Sequence, residues 1–203
     1  MSERRVALTF DAEHPSRRAH RPDGADEIVG VLSRHELRAT FFLQGRWASA
    51  YPDTAHRIAE EGHLLGNHSN YHAPMTLLSE AGILEDVRRA EERIVDATGI
   101  DPKPWFRCPF GDGADRPEVR AALEGLGYRN VSWTIDPLDW EETAAPGAVA
   151  SDVLADWAAS SGNAIVVFHT WGASTTAALN EIVPALRGEG ASFVTVSEIV
   201  DGA

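Results

Sequence analysis

The chain has 203 residues, 43% hydrophobic and 24% charged, which suits one α/β domain with a sizeable core and excludes a disordered or repeat-built chain. Its 18 Lys and Arg against 31 Asp and Glu leave a net charge of −13, which argues against nucleic acid and an anionic membrane surface as partners. A lone cysteine, Cys108, rules out an intrachain disulfide, and no apolar run approaches the ~18 residues of a membrane span.

The opening segment, MSERRVALTFDAEH, has no apolar signal core, and read as the native start it predicts a cytoplasmic protein. Short β-rich runs then alternate with helical patterns. Strands are expected at VALTF (6–10), ATFFLQ (39–44), HLLGNH (63–68), WFRC (105–108), RNVSWT (129–134), AIVVFH (164–169) and FVTVS (193–197). Helical patterns fall near 24–36, 51–62, 79–98, 116–126, 147–159 and 176–189. The third is the clearest: Ser79 is an N-cap, Ile83, Val87, Ala90, Ile94 and Ala97 form one apolar stripe, and Gly99 ends it. This alternation predicts a single domain over residues 1–203, with a mostly parallel sheet covered by helices, open or closed into a barrel.

Parallel-sheet enzymes hold their ligands at the carboxyl ends of the strands, and the ionisable residues obey that rule. Asp11 and Glu13 follow VALTF, and His68 and His72 follow HLLGN. Arg107 closes WFR, Asp136 and Asp139 follow NVSWT, and His169 ends AIVVF. Five strands therefore deliver polar groups to one end. His68 and His72 lie four apart, so on a helix they would share a face, and a catalytic metal site would need a third protein ligand beside them. His63 faces away from His68 on strand alternation and is left out of the site. Cys108 likewise points opposite Arg107 and reads as packing.

The same residues resemble, in order, the motifs of the polysaccharide deacetylases (NodB-homology or carbohydrate esterase family 4). TFDAEH (9–14) is similar to TFDDG, HSNYH (68–72) to H-S/T-x-x-H, RCPFG (107–111) to R-x-P-Y/F-G, DPLDW (136–140) to D-x-x-D-W, and VFH (167–169) to L-x-H. The resemblance implies a distorted (β/α) barrel of about seven mostly parallel strands with outer helices. It also implies a divalent metal, Zn²⁺ first with Co²⁺, Ni²⁺ or Fe²⁺ as alternatives, and removal of an N-acetyl group from a small or oligomeric acetylated sugar. The family's second motif-one aspartate is Ala12 here, so Glu13 becomes the third ligand beside His68 and His72, with His14 as its rival.

By the same resemblance Asp11 is the catalytic base and His169 the general acid. Asp139 supports His169, with Asp136 second, and Arg107 braces Asp11 or Asp139 through a bidentate pair. The Phe110 backbone N–H faces the oxyanion while its side chain lines the groove. Trp140 and Trp171 pack against a sugar ring or acyl methyl, and Val167, in place of leucine, reshapes the acetyl pocket. Two other functions compete: cyclic amide or imide hydrolysis of the allantoinase kind, favoured by Ala12, and a non-catalytic carbohydrate-binding relative. The intact Asp11 and His169 weigh against the second. Oligomeric state leaves no trace in the sequence.

Overall fold

The computed structural model describes residues 4–13 and 24–202. His14 lies outside the described residues. In chain order the elements are β1 (Arg5–Ala12), α1 (Gly24–Arg34), β2 (Thr40–Leu43), α2 (Gly45–Ala50), α3 (Pro52–Glu60), β3 (Leu64–Asn67), α4 (Glu80–Thr98) and β4 (Trp105–Phe106). There follow α5 (Pro117–Gly125), β5 (Arg129–Asn130), α6 (Pro146–Ala159), β6 (Ala164–His169), α7 (Thr175–Gly188), β7 (Ser192–Phe193) and α8 (Val196–Val200).

Every strand pairing is parallel, in the order β5-β4-β3-β2-β1-β6, with β7 paired to the opening residues of β1. Beyond β5, Ile135 bridges in parallel to Val166 of β6, so the sheet's two flanks curl toward each other into the distorted barrel. Alternation along β1 explains why it is central. Val6, Leu8, Phe10 and Ala12 enter the core shared with Ile28, Leu32, Leu179 and Ile182 of the outer helices. Ala7 turns the other way, toward Phe42, Trp105 and Ile165. Phe10 stacks on Phe41 at 4.9 Å and on Phe168 at 5.6 Å, tying three neighbouring strands through one aromatic layer. Truncating Phe10 to alanine would cost about 3–5 kcal/mol by the usual measure of a buried aromatic.

All seven expected strands are present, but several are shorter. WFRC is a strand only at Trp105–Phe106, and RNVSWT only at Arg129–Asn130. FVTVS is corrected more deeply: after Phe193 the chain turns into α8, because Thr195 and Glu198 form a reciprocal capping box that starts a helix. The short helix α2 is an addition to the expected set. Helix α4 follows its sequence reading, with the Ser79 hydroxyl accepting the Gly82 N–H at 3.2 Å and Gly99 left-handed at φ 73°.

Candidate active site

Strand register begins the site. Asp11 of β1 stands directly beside His169 of β6 and Phe42 of β2. Because β1 stays extended through Ala12, alternation sends Ala12 into the helix-facing core and returns Glu13 to the face of Asp11. That is the physical reason a carboxylate at 13 serves where one at 12 would meet apolar side chains.

The histidine pair arrives differently from the helical picture. His68 follows the last residue of β3, and the chain then loops, with Ser69 at φ 61° and His72 at φ 57°. Two left-handed non-glycine residues fold the four-residue spacing back on itself, so that the His68 and His72 Nε2 atoms stand 3.1 Å apart. The Glu13 Oε2 atom pairs with His72 Nε2 and lies 3.3 Å from His68 Nε2. All three side chains are buried, and their ligand atoms fall within 4.8 Å of one another.

A divalent ion suits this donor set. His68 Nδ1 lies 2.9 Å from the Arg107 carbonyl, which fixes its N–H there and turns the Nε2 lone pair toward the cluster. Two imidazole nitrogens and a carboxylate oxygen then face one another on largely buried side chains, a placement that asks for a cation. The protonation of His68 tells the same story: burial opposes its charge, but Asp11 and Glu13 outweigh burial and raise its pKa. Trp171 Nε1 donates to the other Glu13 oxygen at 3.3 Å and steadies that side chain.

Asp11 and His169 flank the cluster. Asp11 Oδ2 lies 3.6 Å from His68 Nε2, while its Oδ1 accepts from Arg107 Nη1 at 2.8 Å. The expected bidentate pair is therefore corrected to a single contact. The Arg107 fork is divided, with Nη1 also donating to Thr9 Oγ1 at 2.9 Å and Nε to the Val131 carbonyl at 3.1 Å. Its guanidinium lies 4.1 Å above the Phe42 ring. Burial works against the arginine's charge, and Asp11 works for it.

His169 Nδ1 meets Asp139 Oδ1 at 2.8 Å, and the His169 backbone N–H donates to Asp139 Oδ2 at 2.9 Å. Burial disfavours a charged His169, but the Asp139 carboxylate, aided by Glu13 and Asp11, prevails and raises its pKa to about 9. Asp136 also borders the cavity, but turns its Oδ1 to the Leu138 N–H at 3.1 Å, which leaves Asp139 as the partner of His169. Cys108 is buried in the packing under α4 and α5, and burial pushes its thiol up to about 12, too high for a nucleophile.

A cavity of about 370 Å³ opens over these groups, lined by Asp11, Glu13, His68, His72, Val167 and His169, with Phe110, Trp133, Asp136, Trp140 and Trp171 around them. The structure thus gathers nearly every residue singled out in the sequence. Phe110 is 63% exposed, takes φ 58°, and sets its ring edge-on to His72 at 4.4 Å, while Trp140 is 40% exposed at the rim. Sequence reading missed Trp133, Thr175 and Asp86. Thr175, at the start of α7, donates to Asp139 Oδ2. Nothing local in the sequence marked it, because its role comes from α7 meeting the loop after β5. Asp86 had a signal: it is an acid on the buried side of α4, beside the stripe of Ile83, Val87 and Ala90.

The model of the polysaccharide deacetylase family matches residues 1–131. The chain belongs to that family. A chitooligosaccharide deacetylase of Rhizobium leguminosarum bv. trifolii is 33% identical, over 94% of this chain and 89% of its own. A peptidoglycan-N-acetylglucosamine deacetylase of Bacillus cereus is 32% identical over 94% of this chain, which spans only 66% of that relative. Among solved structures, a CE4 family pseudoenzyme from Bacillus anthracis superposes with a TM-score of 0.86 at 27% identity, covering 97% of this chain and 65% of that one. Family membership therefore does not by itself assign turnover, and the site's chemistry must carry that step.

Proposed function

We propose that the protein is a metal-dependent hydrolase that removes the N-acetyl group from an acetamido sugar or oligosaccharide. One observation carries the reading: Glu13, His68 and His72 share a single cavity with Asp11 and His169. A divalent ion held by Glu13, His68 and His72, Zn²⁺ first with Co²⁺, Ni²⁺ or Fe²⁺ as alternatives, would supply Lewis acidity that polarises the amide carbonyl and activates water.

The chain's own residues do the rest. Asp11 Oδ2 takes the proton of the attacking water, while Arg107, donating to Oδ1, holds the carboxylate in place. His169, held by Asp139 and protonated at neutral pH, gives its Nε2 proton to the departing nitrogen as the C–N bond breaks. Acetate and a free sugar amine result. Val167 and Trp171 bound the small acyl end of the cavity, and Phe110, Trp133 and Trp140 offer flat faces to the sugar.

The Bacillus anthracis neighbour favours a second reading, a binding protein without turnover. Here both the base and the acid accompany the ligand triad, which weighs toward the enzyme. Purified protein loaded with zinc is expected to release acetate from N-acetylglucosamine oligomers and to lose that activity on chelation. Sugar binding without acetate release would install the pseudoenzyme reading, and opening of a cyclic imide in place of deacetylation would install an allantoinase-like one.

A further inference from the structure

Asp86 belongs to none of the motifs and borders no part of the cavity, yet it is only 6% exposed. A buried carboxylate needs strong partners, and those of Asp86 are two backbone groups of the histidine loop. The Asn70 N–H donates to Oδ2 at 2.8 Å and the Tyr71 N–H to Oδ1 at 3.1 Å. These residues sit between Ser69 and His72, the two left-handed positions that fold the ligands together. Other contacts close on the same loop: Gly45 N–H donates to the Ser69 carbonyl at 2.9 Å, and Arg93 Nη1 to Asn70 Oδ1 at 2.8 Å. Gly45 has no room for a larger residue, because a Cβ there would meet Asn70 Oδ1 at 2.8 Å.

We propose that Asp86 is a positioning residue for the cation: its carboxylate, anchored on the rigid helix α4, clamps the crest of the 68–72 loop and so sets the spacing of the two imidazoles. The proposal rests on the reading of Glu13, His68 and His72 as a metal site. Without the clamp, the strained Ser69 and His72 relax toward ordinary backbone angles and the two Nε2 atoms separate before an ion arrives. The ion must then pay for reordering the loop, so affinity falls while chemistry in the loaded protein stays intact.

The test is zinc affinity by chelator competition, with the melting temperature of the metal-free protein measured alongside, for wild type, Asp86→Asn, Asp86→Glu and His68→Ala. Asp86→Asn faces an N–H with an amide and is expected to weaken zinc binding by roughly 10–100-fold, with kcat returning near wild type under saturating zinc. Asp86→Glu sets the carboxylate out of place by one methylene and is expected to lose less. A folded Asp86→Asn that melts earlier yet binds zinc as tightly as wild type overturns the clamp and leaves the metal site standing. If Asp86→Asn fails to fold, Asp86→Glu decides: weaker zinc binding supports the clamp and wild-type affinity overturns it. Wild type that binds no zinc, or His68→Ala that binds it undiminished, overturns the metal reading and the clamp with it.

Discussion

The barrel sets His63 at one end of its strands and His169 at the other, and the two are driven in opposite directions. His63, just before β3, accepts the Ala39 N–H on Nδ1 at 3.2 Å and packs on the Phe41 ring at 5.1 Å. Burial holds its pKa down at about 4. His169, at the far end of β6, is also desolvated, yet Asp139 lifts it to about 9. The first is a neutral packing residue and the second a proton store, and the difference lies in one carboxylate at 2.8 Å. Desolvation alone does not make a histidine functional; the partner does.

Exchanging either residue sharpens that contrast most. His169→Ala is expected to cut kcat by about 10²–10⁴-fold with bound zinc unchanged, whereas His63→Gln keeps kcat within a few-fold. Acetate release and elemental analysis on both variants check it. Equal losses at the two ends would break the distinction.

The next effect is a shift along the pH axis. Asp139 raises the pKa of His169, so activity that needs its proton should persist above the ordinary imidazole range. Asp139→Asn removes the group that raises it, so the alkaline limb should move down toward the ordinary value near 6.5, as a kcat profile will read. A limb that stays in place would assign the proton to another residue.

The smallest effect is on stability. In the metal-free protein, the raised His169 contributes stability that is fully present below pH ~6.5 and is lost as pH rises through about 9. The lowered His63 works the other way, since the unfolded chain takes up its proton first, and stability falls as pH drops from ~6.5 to about 4. Melting temperatures across pH should therefore flatten on the acid side in His63→Gln and on the alkaline side in His169→Ala.

Much of the site was legible because parallel strands deliver residues to one end by simple alternation. Asp11, Glu13, Arg107 and His169 stand at or just after strand ends, where the motif resemblance gave them their roles, and Cys108 and His63 were set aside by strand alternation. What the sequence hid depends on chain reversal. The left-handed turns at Ser69 and His72, neither of them glycine, replace the expected helical turn. A cap four residues long, Thr195 to Glu198, overrode the β-rich look of FVTVS. Arg107 divides its fork because Thr9 and the Val131 carbonyl compete for it, and those partners come from distant parts of the chain. Asp86 was visible as a misplaced acid, but its purpose needed the loop it holds.

The central claim is a single cation between Glu13, His68 and His72. Anomalous diffraction at the zinc edge, from crystals grown with zinc, tests it most directly. One peak is predicted within about 2.0–2.2 Å of a Glu13 carboxylate oxygen and both Nε2 atoms. Density without a peak there, or a Glu13 side chain turned out of the cavity, would contradict the account.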